Sequence, residues 1–153
     1  MADQSSNSKF ENEIVELSTF YIGKALCGMD ILKIQEINKD IKMTEVPQSP
    51  DYVMGILNLR GQIVTTIDLG KKLGLSSSEL NDNSRNIIVN SKDEYIGLLV
   101  DRIGDVIKAE RSKIERAPAN VGEMQGKYFD GVYKLEDSLV GILNLEKVLN
   151  IEE

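Results

Sequence analysis

The feature that most constrains the fold is an echo within the chain. The segment GILNLRGQIVTTIDLGKKL, starting at Gly55, returns as GVYKLEDSLVGILNLEKVL, starting at Gly131. At this offset of 76, Gly55 matches Gly131, Leu59 matches Leu135, Val64 matches Val140, Leu69 matches Leu145 and Leu73 matches Leu149. Upstream, GMDILKIQEI from Gly28 echoes GLLVDRIGDV from Gly97 at an offset of 69, and Pro47 echoes Pro118 at 71. The order is kept while the offset grows, as insertions in a second copy produce. A duplicated β unit follows, read as two small barrels sharing an interface, because each half alone buries too little surface to be stable. The alternative is chance similarity between two hairpins that each lead into a short helix. Two copies are too few for a solenoid.

The local pattern agrees with an all-β fold. Short β-branched runs at 17–22, 25–31, 56–59, 63–67, 86–90, 95–100, 128–135 and 139–143 are separated by polar or Gly turns at Gly23-Lys24, Arg60-Gly61-Gln62, Ser91-Lys92-Asp93 and Glu136-Asp137. That spacing suits a small barrel or sandwich. Ile31, Ile34 and Ile37 repeat every three residues, which fits a helical turn or a bent strand equally. Two short helices are marked by caps: Asp68 before 69–73, closed by Gly74, and Asn144 before 145–149, closed by Asn150. Each is barely more than a turn and depends on tertiary packing. Residues 1–13 read as a mobile tail and the Ser/Asn/Asp-rich stretch 76–84 as a linker. The division expected is 14–80 for a first barrel and 81–153 for a second, with outer strands open to exchange between the halves.

Composition removes several function classes. The chain has 153 residues, 41% of them hydrophobic, with 25 acidic against 18 basic side chains and a net charge of −7. A nucleic-acid binder needs a basic footprint, and docking on an anionic membrane needs the same. No stretch approaches the roughly 20 apolar residues that cross a bilayer. The polar start is not expected to be a signal peptide, and position 2 is not the Gly of a myristoylation site. Cys27 is the only cysteine, so no internal disulfide forms; a reducing, cytoplasmic setting is expected.

The usual tools of catalysis are missing as well. The sequence has no histidine, which removes the commonest general base and metal ligand. One cysteine without histidine makes a zinc site implausible, and neither a Walker loop nor a G-x-G-x-x-G fingerprint is present. Asp101 and Asp105 are the nearest thing to a carboxylate pair, but turn charges in solvent explain them better. Asp30 and Asp68 read as turn or cap residues, and Cys27 as a small buried hydrophobe. No enzyme activity, cofactor or metal is expected.

The run GILNLRGQIVTTIDLGKKLG is similar to the signature of the CheW family, a Gly and two hydrophobic residues before N-L-R-G, then an aliphatic strand and D-L. GMDILKIQEI, VPQSPDYVMG, IGLLVDRIGDVI and LVGILNLEKVL resemble further family segments in the correct order, so the resemblance covers about residues 17–150. Departures are Thr65 where the family usually has Pro, Gly70 where it often has Arg, and a thinner proline-rich stretch near Ala117-Pro118. The resemblance implies two five-stranded barrels over a shared hydrophobic core, with short helices. It implies a non-enzymatic adaptor in bacterial chemotaxis signal transduction. Such an adaptor couples the cytoplasmic tip of methyl-accepting chemoreceptors to the regulatory domain of the histidine kinase CheA. It also implies a cytoplasmic protein associated with receptor arrays at the inner membrane. The sequence carries no receiver domain after the CheW-like segment, so the two-domain relative is not expected. An equivalent scaffold in a chemotaxis-like pathway controlling pili, or an unrelated β-barrel binding module, are the competing readings.

The family's receptor-facing positions fall on Ile34, Glu36, Arg60 and Val106, and Gly55 and Gly61 flank the same signature as candidates for close backbone approach. The kinase-binding residues are unassigned. Physically, a receptor tip is a helix pair, and helix-in-groove binding wants an apolar trough with polar rim anchors. Ile34 and Val106 occupy nearly equivalent places in the two halves, so a groove between the halves would bring them together. Arg60 would anchor a carboxylate with its fork of donors. On the residues alone, Arg60 and Glu36 read equally as solvated charges, and Ile34 and Val106 as core.

Overall fold

The computed structural model describes residues 13–39, 41–75 and 79–149. The N-terminal tail expected at 1–13 falls almost wholly outside this range, as does the Asn150 helix stop. Among the described residues twelve strands form: β1 (Ile14–Ile22), β2 (Ala25–Asp30), β3 (Ile34–Asn38), β4 (Val53–Leu59), β5 (Gln62–Asp68), β6 (Arg85–Ser91), β7 (Glu94–Val100), β8 (Arg102–Glu110), β9 (Asn120–Val121), β10 (Met124–Gln125), β11 (Phe129–Lys134) and β12 (Leu139–Leu143). Helices α1 (Leu69–Lys72) and α2 (Leu145–Leu149) follow β5 and β12. The ambiguous isoleucine segment resolves into a 3-10 turn at Ile31–Lys33, capped by Asp30, and then β3.

Two five-stranded sheets carry the fold, one in the order β11-β12-β2-β1-β8 and the other β3-β6-β7-β5-β4. Each is drawn toward closure by one bridge between the segment after an outer strand and the opposite edge. Thr44 and Ile56 exchange two 2.8 Å hydrogen bonds; Glu115 and Val132 exchange bonds of 2.9 and 2.8 Å. These bridges close off sheet edges that would otherwise invite pairing with other chains.

The sheets mix strands from both sides of residue 80, the kind of exchange between halves that the sequence left open. The β1–β2 hairpin, from the first half, sits in the sheet of β8, β11 and β12; the β6–β7 hairpin, from the second half, sits with β3, β4 and β5. The exchange covers a whole hairpin in each direction. Chain connectivity is the cause: β7 runs into β8 through Asp101 alone, and β2 reaches β3 through three residues. Antiparallel hairpins need only short turns, but a parallel return within one sheet needs a dozen or more residues. The chain therefore continues forward into the other sheet.

The caps behave as the sequence suggests. Asp68 Oδ1 accepts from the amide of Lys71 at 3.2 Å, and Asn144 Oδ1 accepts from that of Lys147 at 2.9 Å. Residues 81–84, expected as linker, form a defined turn instead: the Asn81 amide donates to Ser84 Oγ, and Ser84 is buried. One hydrophobic cluster takes Phe20, Ile22 and Met29 from one sheet and Ile67, Ile87 and Leu98 from the other, so the core is shared between the sheets.

Candidate functional site

The signature run folds as β4, a tight turn and β5. Leu59 pairs with Gln62, leaving Arg60 and Gly61 as a two-residue loop with φ of 52° and 86°. Positive φ at both positions is the hairpin turn whose twist matches the strands. The Gly61 amide donates to Asn58 Oδ1 at 2.8 Å, fixing the turn from below. Gly61 meets nothing within 4 Å of its missing Cβ, so its need is conformational. Gly55 differs: a Cβ there would lie 2.5 Å from the Thr44 carbonyl oxygen. Its close approach is to its own chain, at the bridge that draws the sheet shut.

Arg60 reaches from this turn to Glu36 on β3, where its Nη2 donates to Oε1. Asn38 Nδ2 donates to the other carboxylate oxygen at 3.0 Å. The Arg60 guanidinium first, and the Asn38 amide second, hold the Glu36 carboxyl below its ordinary value of 4.5. The Arg60 side chain remains 70% exposed. Beside the pair lies a shallow pocket of about 200 Å³ lined by Gln35, Leu59, Gln62, Val64, Ile88 and Tyr95 along with Glu36 and Arg60. The place has a charged rim and an aliphatic floor.

The structure thus gathers Glu36 and Arg60 directly and sets Ile34 two residues away on β3. Ile34 is half-buried and packs against the shared core. Val106 stands apart on β8, in the other sheet, opposite Ser18. It is 58% exposed, which removes the reading of Val106 as core. The expected groove joining Ile34 and Val106 is not what forms between the sheets. The large groove there is lined by residues such as Met29, Tyr52, Val53, Ile96, Leu145 and Leu149, and none of the four candidates belongs to its lining. Asn38 was missed from sequence, although the two-residue period of a strand places Glu36 and Asn38 on one face; a register shift between Ile34 and Glu36 turns Ile34 toward Val89 and the shared core instead. Exposed Ile37 and Leu32, the latter 87% exposed, were also missed.

The remaining polar candidates have structural duties. Asp101 Oδ2 accepts from the Gly23 amide and holds the β1–β2 turn. Burial pushes the Cys27 thiol up to about 12. Among the described residues no three His, Cys, Asp or Glu side chains gather as a metal site, and no helix is long and apolar enough to cross a membrane.

The comparisons with known proteins bear on this arrangement. The family model for the CheW-like domain matches residues 16–153. The chain belongs to the CheW family. A protein of Helicobacter pylori named chemotaxis protein CheW is 34% identical over 149 residues, 96% of this chain and 90% of that one. The Bacillus subtilis protein of the same name is 32% identical, covering 90% of this chain and 88% of its own. Among solved structures, TtCheW of Thermoanaerobacter tengcongensis, described as a scaffolding protein, superposes with a TM-score of 0.83 at 31% identity, covering 92% of this chain and 90% of that one. CheW-family membership over nearly the whole chain disposes of the unrelated β-barrel module.

Proposed function

We propose that this chain is a non-catalytic adaptor of bacterial chemotaxis that couples methyl-accepting chemoreceptors to the histidine kinase CheA. The observation that carries the reading is CheW-family membership in which both this chain and its relatives are covered almost end to end. Relatives bear the name chemotaxis protein CheW, and one solved relative is called a scaffold. The protein works in the cytoplasm at receptor arrays on the inner membrane, binding the receptor's cytoplasmic tip and the kinase's regulatory domain.

Arg60 and Glu36 form the polar anchor of the receptor-facing surface, with Ile34 on the same strand as Glu36 and Val106 as an apolar contact on the neighbouring barrel. The geometry suits this role, since an exposed guanidinium on a rigid turn presents donors without reorganising the fold. Separate titrations against a receptor tip fragment and a CheA regulatory domain test the reading. Micromolar or tighter binding to each is expected, with no binding of ATP by calorimetry. Failure to bind either partner would overturn it.

A further inference from the structure

The two barrels repeat each other in register as well as in sequence. Leu17 faces Asp30 across β1 and β2, and Asn86 faces Leu99 across β6 and β7. Gly28 lies beside Ile142 as Gly97 lies beside Thr66, in the parallel pairs on one flank. On the other flank Ser18 faces Val106, and Ile87 faces Ile37. Each hairpin fills a slot between an outer strand and a parallel neighbour, and either would enter either slot in the same alignment. Within one chain the short connections forbid this, because a residue of extended chain spans only about 3.3–3.6 Å. Between two copies of the chain nothing in the connections forbids it.

The slots differ at several buried positions, Ser18 and Thr19 standing where the other hairpin has Ile87 and Ile88, and at one layer the difference is a paired polar contact. In the β3–β7 barrel, Asn86 Nδ2 donates to Thr66 Oγ1 at 3.0 Å, and both residues are fully buried. Their atoms occupy the space of a Cβ on Gly97, at 2.2 Å for Asn86 Oδ1 and 2.8 Å for Thr66 Oγ1. The same positions in the other barrel are Leu17, Ile142 and Gly28, an apolar set with Val140 3.1 Å and the Leu17 Cβ 3.5 Å from the corresponding point. Asn86 Oδ1 has no hydrogen-bond partner within the protein. An apolar trio fits this layer elsewhere in the same molecule, so packing does not explain a polar one.

We propose that the Asn86–Thr66 pair is a strand-pairing code that keeps the β1–β2 hairpin of a second copy out of the β3–β5 slot. In that slot Leu17 would leave the Thr66 hydroxyl without its amide. In the other slot Asn86 would be buried against Ile142 and lose its partner. Both mismatches strand a buried polar group, the kind of repulsive element by which specificity is set. A buried polar group kept against its own desolvation is a known means of fixing register.

A disulfide reporter tests this. In a Cys27→Ala background, chains carrying Ser18→Cys are mixed with chains carrying Ile37→Cys, unfolded together, refolded and oxidised. These two positions face each other only when a hairpin enters the wrong slot of another chain. Adding Asn86→Leu with Thr66→Ile to both chains is expected to raise the disulfide-linked heterodimer at least fivefold. Adding Leu17→Asn with Ile142→Thr on top, which moves the polar pair to the other barrel, is expected to lower it again. Equal heterodimer yields with and without the polar pair would overturn the proposal, as would a yield that stays high after the pair is moved. Should the double variant fail to refold, the isosteric Thr66→Val is read in the same way, with at least a twofold rise expected and an unchanged yield overturning the proposal.

Discussion

Glu36 and Arg60 hold each other in place at the mouth of one barrel, and the consequence is measurable at single-residue resolution. The carboxyl of Glu36 is held low by Arg60, so the pair's contribution to stability is present above the ordinary glutamate range and is lost as pH falls through the lowered value. Carbon NMR titration of the Glu36 carboxyl should show a midpoint below 4.5 in the native protein and a rise toward 4.5 in Arg60→Ala; an unmoved midpoint would mean the contact is not formed in solution. The two signature glycines should separate cleanly. Gly55→Ala drives a methyl into the Thr44 carbonyl at a φ of 151° and should cost about 3 kcal/mol by denaturant melts, in the range of overpacking and strain. Gly61→Ala meets open space and should cost about 1 kcal/mol, the left-handed penalty alone. Cys27, with its thiol pushed up to about 12 and no exposed surface, should react with thiol reagents at pH 8 only as fast as the protein unfolds.

Among elements, the exchanged hairpins decide what the chain can do in pieces. A fragment of residues 1–80 holds β1 and β2 without β8 and β12 to receive them, and β3 and β5 without the hairpin that fills their slot. It should give a poorly dispersed amide spectrum; mixing it with residues 81–153 should restore dispersion, since each fragment carries the hairpin the other lacks. A cooperative melt from the 1–80 fragment alone would contradict the shared architecture. Most of these elements were legible in the sequence. The repeat located equivalent strands, the capping Asp68 and Asn144 marked both helices, and Arg60-Gly61 marked its hairpin. Sheet membership was not legible, because short strands with equivalent patterns look alike whichever barrel they join. Only the length of a connection such as Asp101 tells them apart. The site was legible in part for a related reason: strand periodicity places Glu36 beside Asn38, but only the folded barrel brings Arg60 across to them and sends Val106 to the other sheet.

The molecule as a whole is two near-equivalent barrels locked by crossing strands over one core, and its proposed work is to hold two partners at once. An adaptor of this kind needs rigid surfaces more than moving parts, and Arg60 is where the account is most exposed to test. The side chain is largely in solvent, so Arg60→Ala should shift the melting temperature by no more than a few degrees. An Arg that anchors an interface is worth about 2 kcal/mol or more, a separable scale. The deciding measurement is titration of native and Arg60→Ala proteins against a receptor tip fragment and, separately, against the CheA regulatory domain. A loss of tenfold or more is expected for the receptor, with a smaller effect on the kinase domain and an unchanged melt. Unchanged receptor affinity, or a collapsed melting temperature, would contradict it.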